Sequence, residues 1–118
     1  MNKKAVAYCR VSSKEQEETG YSLPAQEKLV REYAEKMGFE LVKIYSISES
    51  ASGKIQRKTF KEMLSFVKLH KIPIIIVETT DRLTRNFKEC LEIDDWINSN
   101  EENEVHLVRE GSILHKNA

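Results

Sequence analysis

Three polar stretches of the chain carry side chains able to do chemistry. The first is Arg10-Val11-Ser12-Ser13, the second holds Glu49, Ser52, Gly53 and Arg57, and the third is Asp81-Arg82-Leu83-Thr84-Arg85. Pooled, they offer a serine nucleophile, up to four arginines and two carboxylates. A serine hydroxyl is a weak nucleophile until a base or a strongly cationic surrounding draws off its proton. Phosphoryl transfer builds negative charge on non-bridging oxygens, and positioned guanidinium groups stabilise it through paired N–H donors. Acyl transfer of the protease kind would want a histidine beside Ser12, and His70, His106 and His115 lie near none of the three stretches. The set suits a phosphodiester. Each member also has a plainer reading: a loop arginine is usually a solvated charge, Ser12 can simply end a strand, and Ser52-Gly53 is an ordinary turn. Gly53-Lys54-Ile55 lacks the Ser or Thr of a nucleotide-binding Walker loop. What favours chemistry is that all the unusual polar residues fall at one edge of the expected fold.

That edge follows from the apolar pattern, which switches between strand and helix periods along the chain. Residues 5–11 read as a first strand. A helix is expected over 23–37, with Ser22 as N-cap, Pro24 in the first turn and Gly38 as its stop. Leu29, Tyr33 and Met37 recur every four residues beside Val30 and Ala34, as one buried stripe would. Residues 39–45 read as a second strand and 46–58 as a long polar loop. Thr59-Phe60-Lys61-Glu62 has capping-box spacing, and the helix it opens would bury Phe60, Met63, Leu64 and Val67 before Pro73. Ile74-Ile75-Ile76-Val77 reads as a strand in the middle of a parallel sheet. Asn86 to Glu89 caps a further helix reaching about Ser99, with Phe87, Leu91, Ile93, Trp96 and Ile97 as candidate core. Residues 104–109 form a fourth strand, and the remainder trails off polar.

Strand–helix alternation with short connections predicts an α/β fold of three layers, a mostly parallel central sheet with helices on both faces. In such sheets the functional crevice lies beyond the carboxyl ends of the strands, where all three polar stretches sit. Residues i and i+2 of a strand share a face, so Arg10 and Ser12 should point together. If Asp81 to Arg85 starts a helix, Arg82 and Arg85 share a face as well.

The chain has 118 residues, 40% hydrophobic and 32% charged, which fits one soluble domain with a real core. No apolar run approaches the ~20 residues of a membrane span, and the short apolar stretch after Lys4 lacks the cleavage site of a signal peptide. A cytoplasmic protein is expected. Cys9 and Cys90 have no zinc spacing and are expected to be reduced, and the scattered histidines read as surface or helix-end residues. Nineteen basic residues balance nineteen acidic ones, whereas a self-sufficient DNA-binding module is usually basic. A neutral domain can still act on DNA if another part of the molecule supplies the phosphate contacts.

The order and spacing of these pieces resemble one family. Tyr8-Cys9-Arg10-Val11-Ser12-Ser13-Lys14-Glu15-Gln16 resembles the opening motif of the serine site-specific recombinases, the resolvase/invertase family. Gly20-Tyr21-Ser22-Leu23 with Gln26 is similar to the variant in the large serine recombinases of phages and transposons. Glu49-Ser50-Ala51-Ser52-Gly53 followed by Arg57 is similar to the family's acidic-x-x-Ser-Gly loop, and Asp81-Arg82-Leu83-Thr84-Arg85 to its Asp-Arg-Leu-x-Arg signature. The three motifs cover nearly the whole chain.

The resemblance implies that Ser12 attacks the scissile phosphate, leaving a 5′-phosphoserine link and a free 3′-hydroxyl. Arg10, Arg82 and Arg85 would bind the phosphate, with Arg57 assisting. Asp81 and Glu49 would orient the arginines or handle protons, and Gln16 would support the serine loop. It implies double-stranded DNA as partner, a dimer or tetramer in the full-length protein, and no metal, ATP, small-molecule substrate or membrane. Ser13 stands where Thr is also common, and Glu49 where small resolvases tend to have Asp. The family continues into a dimer-forming helix and DNA-binding domains, so residues 1–118 read as a catalytic core excised from a longer recombinase. The rival readings are a catalytically silent regulatory module, a phosphoacceptor or phosphatase using Asp81, and a small-nucleotide binder. Intact Ser12 and arginines argue against the first, the Arg and Ser ending strand one against the second, and the lack of a glycine-rich loop against the third.

Overall fold

The computed structural model describes residues 2–12, 16, 18–48 and 51–116. Its elements run β1 (Lys4–Val11), α1 (Leu23–Met37), β2 (Glu40–Ser48), α2 (Gly53–Leu69), β3 (Ile74–Val77), α3 (Thr80–Leu83), α4 (Phe87–Ser99), β4 (Glu104–Leu107) and β5 (Ser112–His115). The sheet order is β2-β1-β3-β4-β5. The first four strands are parallel and β5 is antiparallel to β4. The expected α/β class, with a mostly parallel sheet between helical layers, is the observed one.

Alternation along β1 sorts the core into two layers. Val6 and Tyr8 pack with Phe60, Met63, Leu64 and Val67 of α2 and Ile93, Trp96 and Ile97 of α4. Ala5, Ala7 and Cys9 face Val30 and Ala34 of α1. Small residues on the second face let α1 lie close to the sheet. Ile74 to Val77 are inaccessible to solvent, each side chain contributing roughly 1.5–3 kcal/mol of burial. From β1 the chain passes through α1 to β2 on one side, then through α2 to β3 on the other. The strand order reverses between β1 and β3, and at that reversal the crevice of an open parallel sheet forms.

Helix α1 has the expected ends. The Ser22 hydroxyl accepts from Ala25 N at 3.3 Å, and Gly38 takes a left-handed conformation (φ 75°) while its N–H reaches the last carbonyls. Val30 and Ala34 of the expected stripe are buried and Tyr33 packs against the same core, but Gln26 joins them innermost and Met37 is exposed. Helix α2 starts at Gly53 rather than near Thr59, and β2 extends to Ser48, so the loop between them is short. Ser52 is the N-cap, accepting from Ile55 N at 3.2 Å. The first turn, Gly53-Lys54-Ile55-Gln56, carries no inward apolar stripe, and Ile55 is exposed, so periodicity could not mark it. Thr59 is an interior residue whose hydroxyl donates to Ile55 O at 3.0 Å. In α4 the inward stripe is Glu89, Ile93, Trp96 and Ile97. Phe87 and Leu91, expected in the core, lie two positions off that stripe and are exposed. The polar end of the chain is not a tail but the edge strand β5, wholly exposed and so lacking a burial pattern. Gly111 (φ 65°) makes the turn into it.

Of the histidines, His70 caps the end of α2 and His115 is exposed, as expected. His106 is buried instead. Its Nδ1 meets the Tyr33 hydroxyl at 2.6 Å and its Nε2 meets Glu104 Oε1 at 3.0 Å, so hydrogen bonds compensate its desolvation. Both cysteines are free thiols. No helix among the described residues is long and apolar enough to cross a membrane.

Candidate active site

The carboxyl ends of β1 and β3 meet at the strand-order reversal. Arg10 sits on the same face of β1 as Tyr8 and is 6% exposed. Strand β3 pairs with β1 only as far as Tyr8↔Val77, so beyond Tyr8 the backbone of β1 has no strand neighbour on that side. The side-chain amide of Gln26, inaccessible to solvent, takes the vacant place. Its Oε1 accepts from Arg10 N at 2.9 Å, and its Nε2 donates to Arg10 O at 3.2 Å. The Arg10 guanidinium then reaches α3, donating from Nη2 to Asp81 O and, at 3.2 Å, to Thr84 O.

Ser12 follows β1 directly and is half-buried; its carbonyl accepts from Gln16 N at 3.2 Å. Gln16 is exposed, and its own carbonyl accepts from Gly20 N at 3.1 Å, so both contacts have helical spacing. Ser13 and Glu49 lie outside the described residues.

The third motif splits. Helix α3 ends at Leu83 and Thr84 is extended (φ −116°, ψ 143°), so Arg85 leaves the helix and does not share a face with Arg82. Arg85 Nη2 donates to Gly53 O at 3.4 Å. A Cβ at Gly53 would meet Arg85 Nη1 at 3.4 Å, so the guanidinium rests against the start of α2. The Arg85 backbone N–H donates to Glu89 Oε1 at 2.9 Å. Arg10, Gln56, Asp81, Thr84 and Arg85 line a crevice of about 500 Å³. Arg82 lines a second one, of about 570 Å³, with Tyr21, Glu78, Thr79 and Arg109. Asp81 borders both.

The arrangement therefore differs from four guanidiniums converging on one hydroxyl. Arg10, Asp81 and Arg85 are brought together; Arg82 lies across Asp81 from them, and Ser12 is not among the described residues lining either crevice. Arg57 is turned toward α4, with Nη1 and Nη2 bonded to the two oxygens of Glu92 at 2.5 and 2.9 Å, and Nη1 3.5 Å from Glu89 Oε2. Those bonds to the Glu92 carboxylate raise the pKa of Arg57 and hold that of Glu92 low.

Glu78 and Arg109 carry no assignment from the sequence, while Gln26 enters it only as part of a motif and Glu89 only as part of a helix cap. Glu78 is 3% exposed and accepts from Arg82 Nε at 3.2 Å, Arg109 Nε at 2.7 Å and the Tyr21 hydroxyl. Burial raises its carboxyl pKa, and the bonds from Tyr21, Arg109 and Arg82 outweigh that and hold it below the usual range. A signal existed, since Glu78 is the first residue after the unbroken apolar run Ile74–Val77, at the end of a central strand. Tyr8 is buried under Arg10, and burial pushes its phenol up to about 12 despite the nearby cation.

An open, mostly parallel sheet with an arginine buried at the end of its first strand and a crevice at the strand-order reversal defines the class as an α/β domain of the doubly wound kind. Residues 5–117 match the family model described as the resolvase N-terminal domain, and the chain belongs to that family. The catalytic domain of TP901-1 integrase is similar at TM-score 0.75 and 23% identity, over 94% of this chain and 82% of that one. The catalytic domain of ISC1926 TnpA, an IS607-like serine recombinase, is similar at 0.65 and 27%, over 89% and 68%. A resolvase family site-specific recombinase from Streptococcus pneumoniae is similar at 0.67 and 24%, over 95% and 76%. No curated protein sequence matches the chain.

Proposed function

We propose that this domain breaks and rejoins DNA strands as the catalytic part of a cytoplasmic site-specific recombinase, with Ser12 as nucleophile. The observation that carries the reading is the end of β1. Arg10, clamped by Gln26 and held against α3, stands at the end of β1 two residues before Ser12, and Arg85 closes the same crevice. The Ser12 oxygen bonds to phosphorus as its proton leaves. The bond from phosphorus to the 3′-oxygen breaks, and that oxygen departs with a proton as a hydroxyl. The phosphate stays on the 5′-carbon, now esterified to serine, so reversal of the step on an exchanged strand reseals the duplex. Arg10 and Arg85 meet the equatorial charge where it develops, and Arg82 meets it from beyond Asp81. Arg57 assists and Asp81 and Glu49 orient the arginines, while Gln16 supports the serine loop through its bond to the Ser12 carbonyl. The partners are double-stranded DNA and further copies of a longer chain, assembled as dimers and tetramers, in a mobile element of the large serine recombinase kind. Residues 1–118 alone then bind DNA weakly and recombine nothing.

The test incubates the longer parent protein with a nicked DNA target in EDTA and looks for a DNA–protein adduct by mass spectrometry. An adduct on Ser12 that survives Ser13→Ala and vanishes in Ser12→Ala supports the reading. Bound DNA with no adduct, or an adduct that survives Ser12→Ala, overturns it and favours a catalytically silent assembly module.

A further inference from the structure

Glu78 is a buried carboxylate with three side-chain donors beside the two crevices, yet the chemistry above makes no use of it. Its three partners come from three separate parts of the chain. Arg82 belongs to α3. Arg109 follows β4, whose hydrogen bonding to β3 continues past the strand end through Val108 N to Val77 O and Arg109 N to Glu78 O, at 2.9 and 3.0 Å. Tyr21 lies between Ser12 and α1, and its ring packs under the Arg109 guanidinium at 5.6 Å. A single carboxylate at the end of the central strand thus ties the segment that begins with the nucleophile to the arginine expected to meet the phosphate.

We propose that Glu78 is a positioning residue for strand cleavage, acting through Arg82 and Tyr21; this rests on the function proposed above. A guanidinium has two edges able to hold an anion in bidentate fashion. Glu78 engages Arg82 through Nε, so the carboxylate fixes the orientation of the guanidinium and with it the direction from which the group meets a phosphate. Through Tyr21 the same carboxylate anchors the far end of the segment that starts at Ser12. Arg109 also meets the carboxylate, so that two guanidiniums share one buried Glu78 and hold it ionised.

The experiment compares wild type, Glu78→Gln, Arg82→Ala, the double variant and Tyr21→Phe in the parent protein. Non-covalent DNA affinity and the single-turnover rate of adduct formation are measured separately. Glu78→Gln is expected to leave affinity within about threefold and to slow adduct formation tenfold or more, with Tyr21→Phe between it and wild type. In the Arg82→Ala background, Glu78→Gln is expected to add less than about twofold, because it acts through Arg82. Losses that multiply in the double variant, or a Glu78→Gln rate within twofold of wild type, overturn the proposal. Nitrogen-15 NMR of labelled arginine reads the clamp without any reaction. Slowly exchanging Nε–H signals of Arg82 and Arg109 are expected in wild type, and their absence there overturns the clamp even if Glu78→Gln fails to fold. A wild type that forms no adduct removes the proposed function, and these signals still decide whether Glu78 holds Arg82.

Discussion

Gln26 should be worth more to this domain than its place on a surface helix suggests. It is buried, it bonds both backbone groups of Arg10, and it stands where β3 stops short. Gln26→Leu keeps most of the volume and removes the donor and acceptor together. Two backbone groups are then left buried and unpaired, each costing about 1–3 kcal/mol. Allowing for partial relaxation, about 2–4 kcal/mol should be lost, a large part of the ~5–15 kcal/mol typical of a domain.

Gln26→Glu separates hydrogen bonding from size. A protonated carboxyl can accept from Arg10 N–H and donate to Arg10 C=O as the amide does, whereas a carboxylate can only accept and would face the carbonyl with a negative charge. Burial and the need to donate both raise its folded pKa above the unfolded value of about 4.3. For a raised pKa the contribution is whole below the unfolded value and is lost as pH rises toward the folded one. Across that window the variant should lose about 1.4 kcal/mol per pH unit relative to wild type. Urea unfolding followed by circular dichroism at pH 4 and pH 7, with wild type measured beside each variant, supplies both numbers. At pH 4 Gln26→Glu should lie within about 1 kcal/mol of wild type, while Gln26→Leu should show a similar loss at both pH values. If Gln26→Leu loses under about 0.5 kcal/mol with an unchanged denaturant slope, or Gln26→Glu shows no pH dependence relative to wild type, the amide does not replace a strand neighbour.

Other perturbations follow from the same contacts. Glu78 and Glu92 have depressed carboxyl pKa values, so what they contribute is present above the unfolded value and lost as pH falls below it; acid unfolding of Glu92→Gln should show a smaller loss between pH 5 and pH 3 than wild type. A double-mutant cycle on Arg57 and Glu92, a bidentate and partly shielded pair, should return coupling on the order of 1 kcal/mol. Cys9 is buried and its thiol is pushed up to about 12, chiefly by burial, while Cys90 is exposed; a thiol reagent should modify Cys90 alone in the native state and both after denaturation. Tyr33→Phe removes the hydroxyl bonded to His106 and should cost about 1 kcal/mol by thermal or urea unfolding.

The sequence specified most of the frame because the frame rests on periodicity and capping. Ile74–Val77 could only be a buried strand, and Ser22, Pro24 and Gly38 set both ends of α1. It failed where burial and polarity part company. The first turn of α2 is held by the Ser52 hydroxyl, which leaves no apolar pattern, and β5 pairs by backbone alone at an exposed edge. Glu89 and Gln26 occupy inward positions that a hydrophobic stripe assigns to apolar residues, so periodicity points to Phe87 and Leu91 in one helix and Met37 in the other, all three of them exposed. At the site, the side taken by Arg10 was legible because a strand fixes the side of every second residue, whereas Ser12 lies one residue past the end of β1. The relation of Arg82 to Arg85 was not, because it turns on the single extended residue Thr84.

The same residues explain the balance of charge along the chain. The neutral total is the sum of internal pairs as well as surface charges: Arg82 and Arg109 meet Glu78, and Arg57 meets Glu92 with Glu89 beside it. An arginine left in water arrives at a phosphate with full rotamer freedom and a hydration shell to shed. One held by a buried carboxylate and by backbone carbonyls, as Arg82 and Arg10 are, has given up much of that freedom during folding. Stabilisation of developing charge depends on such preorganisation rather than on net charge. Each carboxylate also weakens the field it organises, so the net charge understates how many guanidiniums are held in place. Neutrality here is what a preorganised set of arginines looks like when its counter-ions are built into the fold.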